Sequence, residues 1–186
     1  MRTSSTYFSA LFFALMAPVS ASAQTRNPPT PADGHTIHVV APHMVNGKVM
    51  GPFHHYCKVV SPEPIIECLI YDSADPGARL GEIEYIIAKS ITRNGSVTLA
   101  DWNNFWHDHK QEVETGRVQI LDLPPDEAKK VAQLIYTTDG IIFHLWGHDQ
   151  EVPSGHVVIA ESVGHVTLTQ AELEAGAKAS AKLSKK

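Results

Sequence analysis

The histidines of this chain are the residues best suited to chemistry, because several lie in short aromatic or cysteine-bearing clusters. The sequence contains 11 histidines, and the three clusters span residues 54–57, 106–109 and 143–146. Imidazole can act as a base, an acid or a metal ligand near neutral pH. An imidazole buried among large apolar groups must have a polar partner. The clusters therefore predict a polar site inside the core, although they do not name a reaction.

Strand periodicity predicts which histidines of the first and third clusters point inward. On a strand, His55 shares a face with Cys57, and His54 lies on the opposite face. His144 lies on an apolar segment that should be a central strand, buried on both faces. We therefore expect His55 and His144 to reach the core.

Helix periodicity separates the two histidines of the middle cluster. Residues two apart on a helix lie about 200° apart around its axis, so His107 should point away when His109 points inward. Glu112 is one turn beyond His109, close to the same face. Glu84 lies within the apolar stripe of an earlier segment that also reads as a helix.

The predicted site combines three imidazoles and one carboxylate, a ligand set that suits one divalent transition metal, zinc or ferrous iron. Two alternatives remain open: a hydrogen-bonded structural network, and haem ligation or a metal-free acid–base pair of His109 with Glu84. The predicted ligands are His55, His109, His144 and Glu84, and the additional candidates are His38, His54, His107, Glu112 and Cys57.

The order of the predicted elements indicates an α+β fold in a single domain, with a largely antiparallel sheet and helices packed on it. Alternating and apolar segments predict five strands, and capping residues with 3.6-residue periodicity predict three helices and a weak terminal one. The predicted strands are 35–41, 53–60, 65–72, 141–146 and 156–162, with 47–52 a loop, and the predicted helices are 75–92, 98–116, 125–136 and a final helix after 170.

Two of these strands form a predicted hairpin that brings the cysteines together. A symmetric hairpin places Cys57 opposite Cys68 and Lys58 opposite Glu67, and both pairs are chemically compatible. Directly opposed cysteines can form a disulfide in an oxidising compartment. The alternative is a pair of small buried thiols.

The first 23 residues have the pattern of a secretory signal peptide. An apolar run precedes Ala21-Ser22-Ala23, which predicts cleavage before Gln24; an uncleaved anchor is the alternative. We expect residues 24–34 to form a flexible lead-in and residues 35–166 to form the domain. Residues 167–186 should form a weak C-terminal helix or tail. We therefore expect a secreted or periplasmic protein with no transmembrane span after cleavage. The net charge of −5 without a basic stripe argues against nucleic acid as a partner.

The three histidine clusters, together with residues 67–73, 78–80 and 83–86, resemble segments of the oil body-associated protein family, and the resemblance covers roughly residues 35–160. The resemblance implies a role at a lipid or other apolar surface, because plant members localise to lipid droplets, and it carries over no catalytic residue. This chain departs from the plant pattern in its secretory signal and in a longer connection between Met44 and His54. The matching segments are 54–57, 67–73, 78–80, 83–86, 106–109 and 143–146.

Three functions follow as hypotheses. The first, which we prefer, is a binding protein that holds a metal or a small ligand at the histidine cluster. The second is a metal-dependent enzyme, which would need an open coordination position. The third is a lipid-interface protein whose histidines are purely structural and which exposes an apolar patch. The sequence does not determine an oligomeric state.

Overall fold

Six strands form a closed antiparallel barrel. The structure, a computed structural model, describes residues 30, 33–146 and 150–183, and all elements lie within one unit, residues 31–186. The predicted signal peptide and most of the predicted lead-in lie outside the described residues. The strands are β1 (Ile37–Val45), β2 (Lys48–Ser61), β3 (Ile65–Tyr71), β4 (Leu80–Ala88), β5 (His107–Asp108), β6 (Gln119–Leu121), β7 (Thr138–His144) and β8 (Val158–Ser162).

The helices are short and lie mostly between β4 and β7. They are α1 (Lys89–Ile91), which continues into a wide π-helical turn over Thr92–Ser96, then α2 (Leu99–Phe105), α3 (His109–Glu114), α4 (Pro125–Tyr136) and α5 (Gln170–Leu183). The predicted helix 125–136 has the observed bounds of α4, and a terminal helix is present as expected. Within the described residues, none of the helices has both the length and the apolar character that crossing a bilayer requires.

The barrel closes because β1 pairs at both of its edges. The order around the ring is β1, β2, β3, β4, β7, β8 and again β1. This closure corrects the expectation of a sheet with helices packed on it, although the α+β class and the single domain hold. The apolar core inside the ring consists of Val45, Phe53, Cys57, Ile66, Cys68, Ile70, Ile86, Ile142 and Ala160.

The pairing between β8 and β1 is short, and a separate segment bridges the rest of that seam. Only His43 and Met44 of β1 pair with β8. Beyond them, β6 continues along β1, and β5 pairs with β7 at Asp139 and Gly140. At the end of the barrel where β8 does not reach β1, the segment β5–α3–β6 therefore connects β7 to β1.

The β2–β3 hairpin has the predicted register. Cys57 is opposite Cys68 and Lys58 is opposite Glu67. The two cysteines form a disulfide with an S–S distance of 1.97 Å. The predicted loop 47–52 is wrong, because β2 begins at Lys48 and pairs with the end of β1 past an irregularity near His43.

The predicted helix 75–92 is also wrong, because its central half, Leu80–Ala88, is strand β4. Ile83 and Ile87 are four residues apart, which fits one face of a helix but equally fits alternate positions of a strand. Isoleucine is β-branched and favours the strand. In the strand, Glu82 and Glu84 point into the barrel, and both carboxylates are buried.

The predicted helix 98–116 begins as expected but breaks in the middle. The Thr98 hydroxyl caps α2 by accepting from the backbone N–H of Asp101. The chain becomes extended at Trp106, and a new helix starts at His109. The break is held by Asp108, whose carboxylate lies 2.6 Å from Lys89 Nζ and 2.8 Å from an Arg93 guanidinium nitrogen.

Candidate metal centre

Four polar side chains converge inside the barrel next to the β5–α3 segment. Glu84 comes from β4, His107 from β5, and His109 and Glu112 from α3, and at most 3% of each is exposed. Glu84 Oε1 lies 3.3 Å from His107 Nε2 and 3.2 Å from His109 Nε2. Glu112 Oε2 lies 4.0 Å and 3.9 Å from the same two nitrogens. A donor atom from each of Glu84, His107 and His109 lies within 4.8 Å of the others.

These distances suit a small cation between the donors. Ligands at about 2.0–2.1 Å from a tetrahedral zinc ion lie roughly 3.3 Å from one another. The cavity beside the cluster has a volume of about 10 Å³, which is the space that one water molecule or one ion needs. The site could therefore hold a metal ion with two imidazoles and one or two carboxylates, a ligand set that both zinc and ferrous iron accept.

Gly140 makes room for this cluster. It pairs with Ile86 on β4 and with His107 on β5. A Cβ atom at this position would lie 2.5 Å from Glu84 Oε1 and 2.5 Å from His107 Nε2. The carboxylate and the imidazole therefore occupy the space of the missing side chain.

The tautomer of His109 is determined by Thr138. The Thr138 hydroxyl donates to the carbonyl oxygen of Ile135 at 2.5 Å, so it must accept the hydrogen bond from His109 Nδ1 at 3.1 Å. A neutral His109 then has a lone pair on Nε2, facing the carboxylate of Glu84 at 3.2 Å. Two acceptors repel at this distance, and the contact needs either a proton on Nε2 or a cation between the two atoms.

Without a cation, the electrostatics favour the proton. Burial alone would lower the pKa of His109, but the hydrogen bond and the negative charge of Glu84 outweigh burial and raise it. Burial alone would raise the pKa of Glu84, but His107 and His109 outweigh burial and hold it well below its ordinary value. Both shifts favour an imidazolium paired with a carboxylate when no metal is bound.

His107 has a polar atom that its surroundings do not satisfy. Only 1% of the residue is exposed, and its Nδ1 has no hydrogen-bond partner among the described residues. A buried polar atom without a partner costs about 1–3 kcal/mol. The unsatisfied Nδ1 is not the nitrogen that faces Glu84, so an ion at the cluster would not satisfy it either.

His55 connects this centre to a second buried carboxylate. Its Nδ1 donates to the carbonyl oxygen of Phe53 at 3.1 Å, and burial, with a contribution from His43, lowers its pKa to about 4. His55 is therefore neutral, with a lone pair on Nε2 that lies 3.0 Å from His43 Nε2 and 3.6 Å from Glu84 Oε2.

Glu82 is clamped between two imidazoles. His43 Nδ1 lies 2.5 Å from one carboxylate oxygen, and His144 Nδ1 lies 2.6 Å from the other. Burial alone would raise the pKa of Glu82, but the hydrogen bonds from His144 and His43 outweigh burial and lower it to about 2. A continuous polar chain thus runs from His144 through the barrel to Glu84.

The structure groups the predicted site residues differently from the sequence. His109, Glu84 and the additional candidates His107 and Glu112 lie together, with His55 in contact with Glu84. The prediction that His107 points away is wrong, because the chain is extended there and not helical. His144 is inward as expected, but it contacts Glu82.

Three of the additional candidates lie outside the cluster or cannot act as ligands. His38 and His54 belong to a separate group on the outer side of the barrel. His38 forms hydrogen bonds with Asp122 at 2.6 Å and with His54 at 2.9 Å. Cys57 lines the cavity, but its sulfur is bonded to Cys68 and is therefore not a thiolate.

Sequence reasoning missed two residues of the polar chain, His43 and Glu82. His43 is not among the predicted ligands or the additional candidates, yet only 1% of it is exposed. The available signal was the alternation of Glu82 and Glu84, two carboxylates on one face of a strand. Reading the segment as a helix hid that alternation.

Comparisons with known proteins identify relatives in plants. The chain is 33% identical over 112 residues to "Oil body-associated protein 1B" of Arabidopsis thaliana, which covers 58% of this chain and 44% of that relative. It is 31% identical over 98 residues to "Oil body-associated protein 1A" of Zea mays, which covers 52% of this chain and 39% of that relative. The matched region thus spans less than half the length of these curated relatives.

The family comparison covers most of the chain. Residues 30–185 match the family described as "Protein of unknown function (DUF1264)". No solved structure matches the chain. The matched range includes every residue of the candidate metal centre and of the barrel that positions it. The chain therefore belongs to the DUF1264 family and is homologous to the plant oil body-associated proteins.

Proposed function

We propose that this protein binds one divalent transition metal ion, zinc or iron, through Glu84, His107 and His109, with Glu112 as the next available ligand. The observation that carries the proposal is the contact between His109 Nε2 and Glu84 Oε1. Because Thr138 accepts from Nδ1, the neutral ring of His109 has no proton on Nε2. A metal ion would take the place of the additional proton that Nε2 otherwise needs to face Glu84. The distances among the donor atoms support the same conclusion.

The size of the cavity favours a binding protein over an enzyme. About 10 Å³ beside the donors holds one water molecule but no organic substrate, and it leaves no space for a haem. His109 and Glu84 as a metal-free acid–base pair would face the same lack of space. A bound ion would therefore stabilise the fold or be stored.

Metal analysis of the purified full-length protein tests the proposal. Protein prepared without an affinity tag and without chelator should contain about one equivalent of zinc or iron, or take it up on titration. Glu84→Gln and His109→Ala should each weaken binding at least about tenfold, whereas the exposed His156→Ala should bind like the wild type. Protein that is folded but cannot be loaded with either metal would overturn the proposal.

A second candidate function is association with a lipid surface. Its support is a row of half-buried apolar side chains that faces outward across five neighbouring strands, together with the names of the plant relatives. The row is fixed by the strand register, and it consists of Tyr56, Leu69, Ile83, Phe143 and Ile159.

Flotation with triacylglycerol emulsions tests this second function. The wild type should float with the droplets, and Ile83→Glu with Phe143→Glu should abolish flotation while leaving metal binding intact. Val49→Glu provides the control, because Val49 is 60% exposed and lies outside the row. Equal flotation of all three proteins would exclude this surface.

We also propose that the mature protein is exported, to the periplasm or the medium, after cleavage before Gln24. The signal-like composition of residues 1–23 supports export. The Cys57–Cys68 disulfide supports it as well, because disulfides persist in oxidising compartments. Mass spectrometry of the protein from cell fractions should give a mature N-terminus at Gln24; an intact N-terminus in the cytoplasm would contradict export.

A further inference from the structure

A groove of about 860 Å³ lies beside helix α4, away from the metal centre. It shares no lining residue with the cavity among the histidines. Helix α4 forms one wall, and the turn between β2 and β3 forms part of the other. Most of the lining is apolar, and the main contributors are Pro62, Pro64, Ala88, Val113, Ala132 and Leu134.

The groove is charged where its lining includes the first half of α4. Lys129 and Lys130 line it there and are exposed. The lysine ion pairs among the described residues involve Lys58, Lys89 and Lys110, so both groove lysines are available. They are the two charged residues among those that line the groove, so its lining carries positive charge.

Among the described residues, no acidic side chain belongs to the lining of the groove. The nearby Glu63 carboxylate accepts the hydroxyl of Ser90, and the Glu114 carboxylate accepts the hydroxyl of Tyr136. The Glu114 carboxylate also lies 3.9 Å from Lys110 Nζ, outside the groove. The walls therefore place no carboxylate beside an anion bound at the lysines.

We propose that this groove binds a free long-chain fatty acid, with the alkyl chain on the apolar walls and the carboxylate on Lys129 and Lys130. An ammonium group forms strong charge-assisted hydrogen bonds with a carboxylate. The volume falls within the roughly 300–1,000 Å³ of pockets that enclose a single small molecule. A concave groove of this kind takes one chain, whereas docking on a bilayer uses an exposed apolar face.

Fluorescence titration of the full chain with 11-(dansylamino)undecanoic acid tests this proposal. The probe should bind at one site, and palmitate should displace it more effectively than hexadecanol, which lacks the charge. Lys129→Glu with Lys130→Glu should weaken probe binding about tenfold or more. Ala132→Trp should also weaken binding, because the indole fills the groove.

The matched control has the same change in charge at a distance from the groove. Lys48→Glu with Lys178→Glu alters two exposed lysines that do not line it, and this variant should bind the probe like the wild type. Equal weakening in both double variants would show unspecific attraction and overturn the site. The proposal also fails if vesicles of phosphatidylcholine and phosphatidylglycerol bind but palmitate does not. It fails equally if the lysine variants only alter self-association, measured by analytical ultracentrifugation.

Discussion

At the residue scale, the position of one proton links structure to function. Because Thr138 accepts from His109 Nδ1, the other nitrogen of the ring can face Glu84 only as an imidazolium or as a metal ligand. A metal ion bound at this site would compete with a single proton for this nitrogen.

Replacing Thr138 with valine tests this arrangement. Thr138→Val keeps the shape of the side chain but leaves His109 Nδ1 without an acceptor, so we expect a loss of about 1–3 kcal/mol in unfolding free energy. The metal affinity should fall about 10–100-fold, as for other residues that orient a ligand. Urea unfolding and zinc titration measure the two effects, and Thr115→Val, at an exposed hydroxyl, is the control. An unchanged affinity in a stable Thr138→Val variant would contradict the assigned tautomer.

Gly140 offers a second test at this scale. Gly140→Ala would force a methyl group into the space of Glu84 and His107, so we expect about 1–3 kcal/mol of destabilisation and loss of metal binding. Gly77→Ala is the matched control, because its Cβ would meet no atom within 4 Å. Differential scanning fluorimetry with and without zinc compares the two variants. A wild-type thermal shift in Gly140→Ala would show that the metal binds elsewhere.

At the element scale, local pattern predicted the hairpin and helix α4 well and misread two other segments. The register of Cys57 with Cys68 follows from a short turn, and α4 has a proline at its first position. Strand β4 was misread because an apolar spacing of four residues satisfies both periods. Pairing with β3 and β7 then favours the strand. These partners, and β7 above all, are remote in sequence, so a local pattern does not reveal them.

The break between α2 and α3 has a cause that is equally remote in sequence. His107 lies beside Gly140, and Lys89 and Arg93 contact the neighbouring Asp108, which pairs with Asp139 of β7. These contacts join positions that no local periodicity connects. The burial of the predicted ligands His55, His109, His144 and Glu84 could therefore be predicted, whereas their grouping depended on the closure of the barrel.

The disulfide allows a prediction at this scale. Cys57 and Cys68 are 11 residues apart, and in the chain-entropy treatment a loop of this length contributes about 3 kcal/mol. Adding a reductant should lower the urea midpoint of the wild type accordingly. The Cys57→Ala with Cys68→Ala variant should be less stable and should not respond to reductant. A wild type that is insensitive to reductant after full reduction, verified by thiol titration, would contradict this contribution.

At the scale of the whole molecule, buried carboxylates make stability depend on pH. Glu82 has a pKa of about 2 in the folded protein and an ordinary value of 4.5. The unfolded chain therefore binds more protons between these two values. The stabilisation from Glu82 is complete above about pH 4.5 and is lost as the pH falls towards 2. His55 acts in the same direction between pH 6.5 and about 4, because its folded pKa is also lowered.

Acid unfolding of a Glu82→Gln variant measures this effect. The unfolding free energy of the wild type should fall more steeply between pH 4.5 and 2 than that of Glu82→Gln, because the amide does not titrate. Glu151→Gln, at an exposed position, should follow the wild type. Parallel curves for the wild type and Glu82→Gln, measured by urea unfolding at a series of pH values, would contradict the assigned pKa.

The bridged seam between β7 and β1 also has a consequence for local opening. The segment β5–α3–β6 supplies His107, His109 and Glu112, whereas Glu84 belongs to the continuous barrel wall. An ion bound by both would tie the segment β5–α3–β6 to the barrel wall. It would therefore suppress local opening of this segment alone. Hydrogen–deuterium exchange should therefore slow on zinc addition at residues 107–121, while the amides of the β2–β3 hairpin exchange at an unaltered rate.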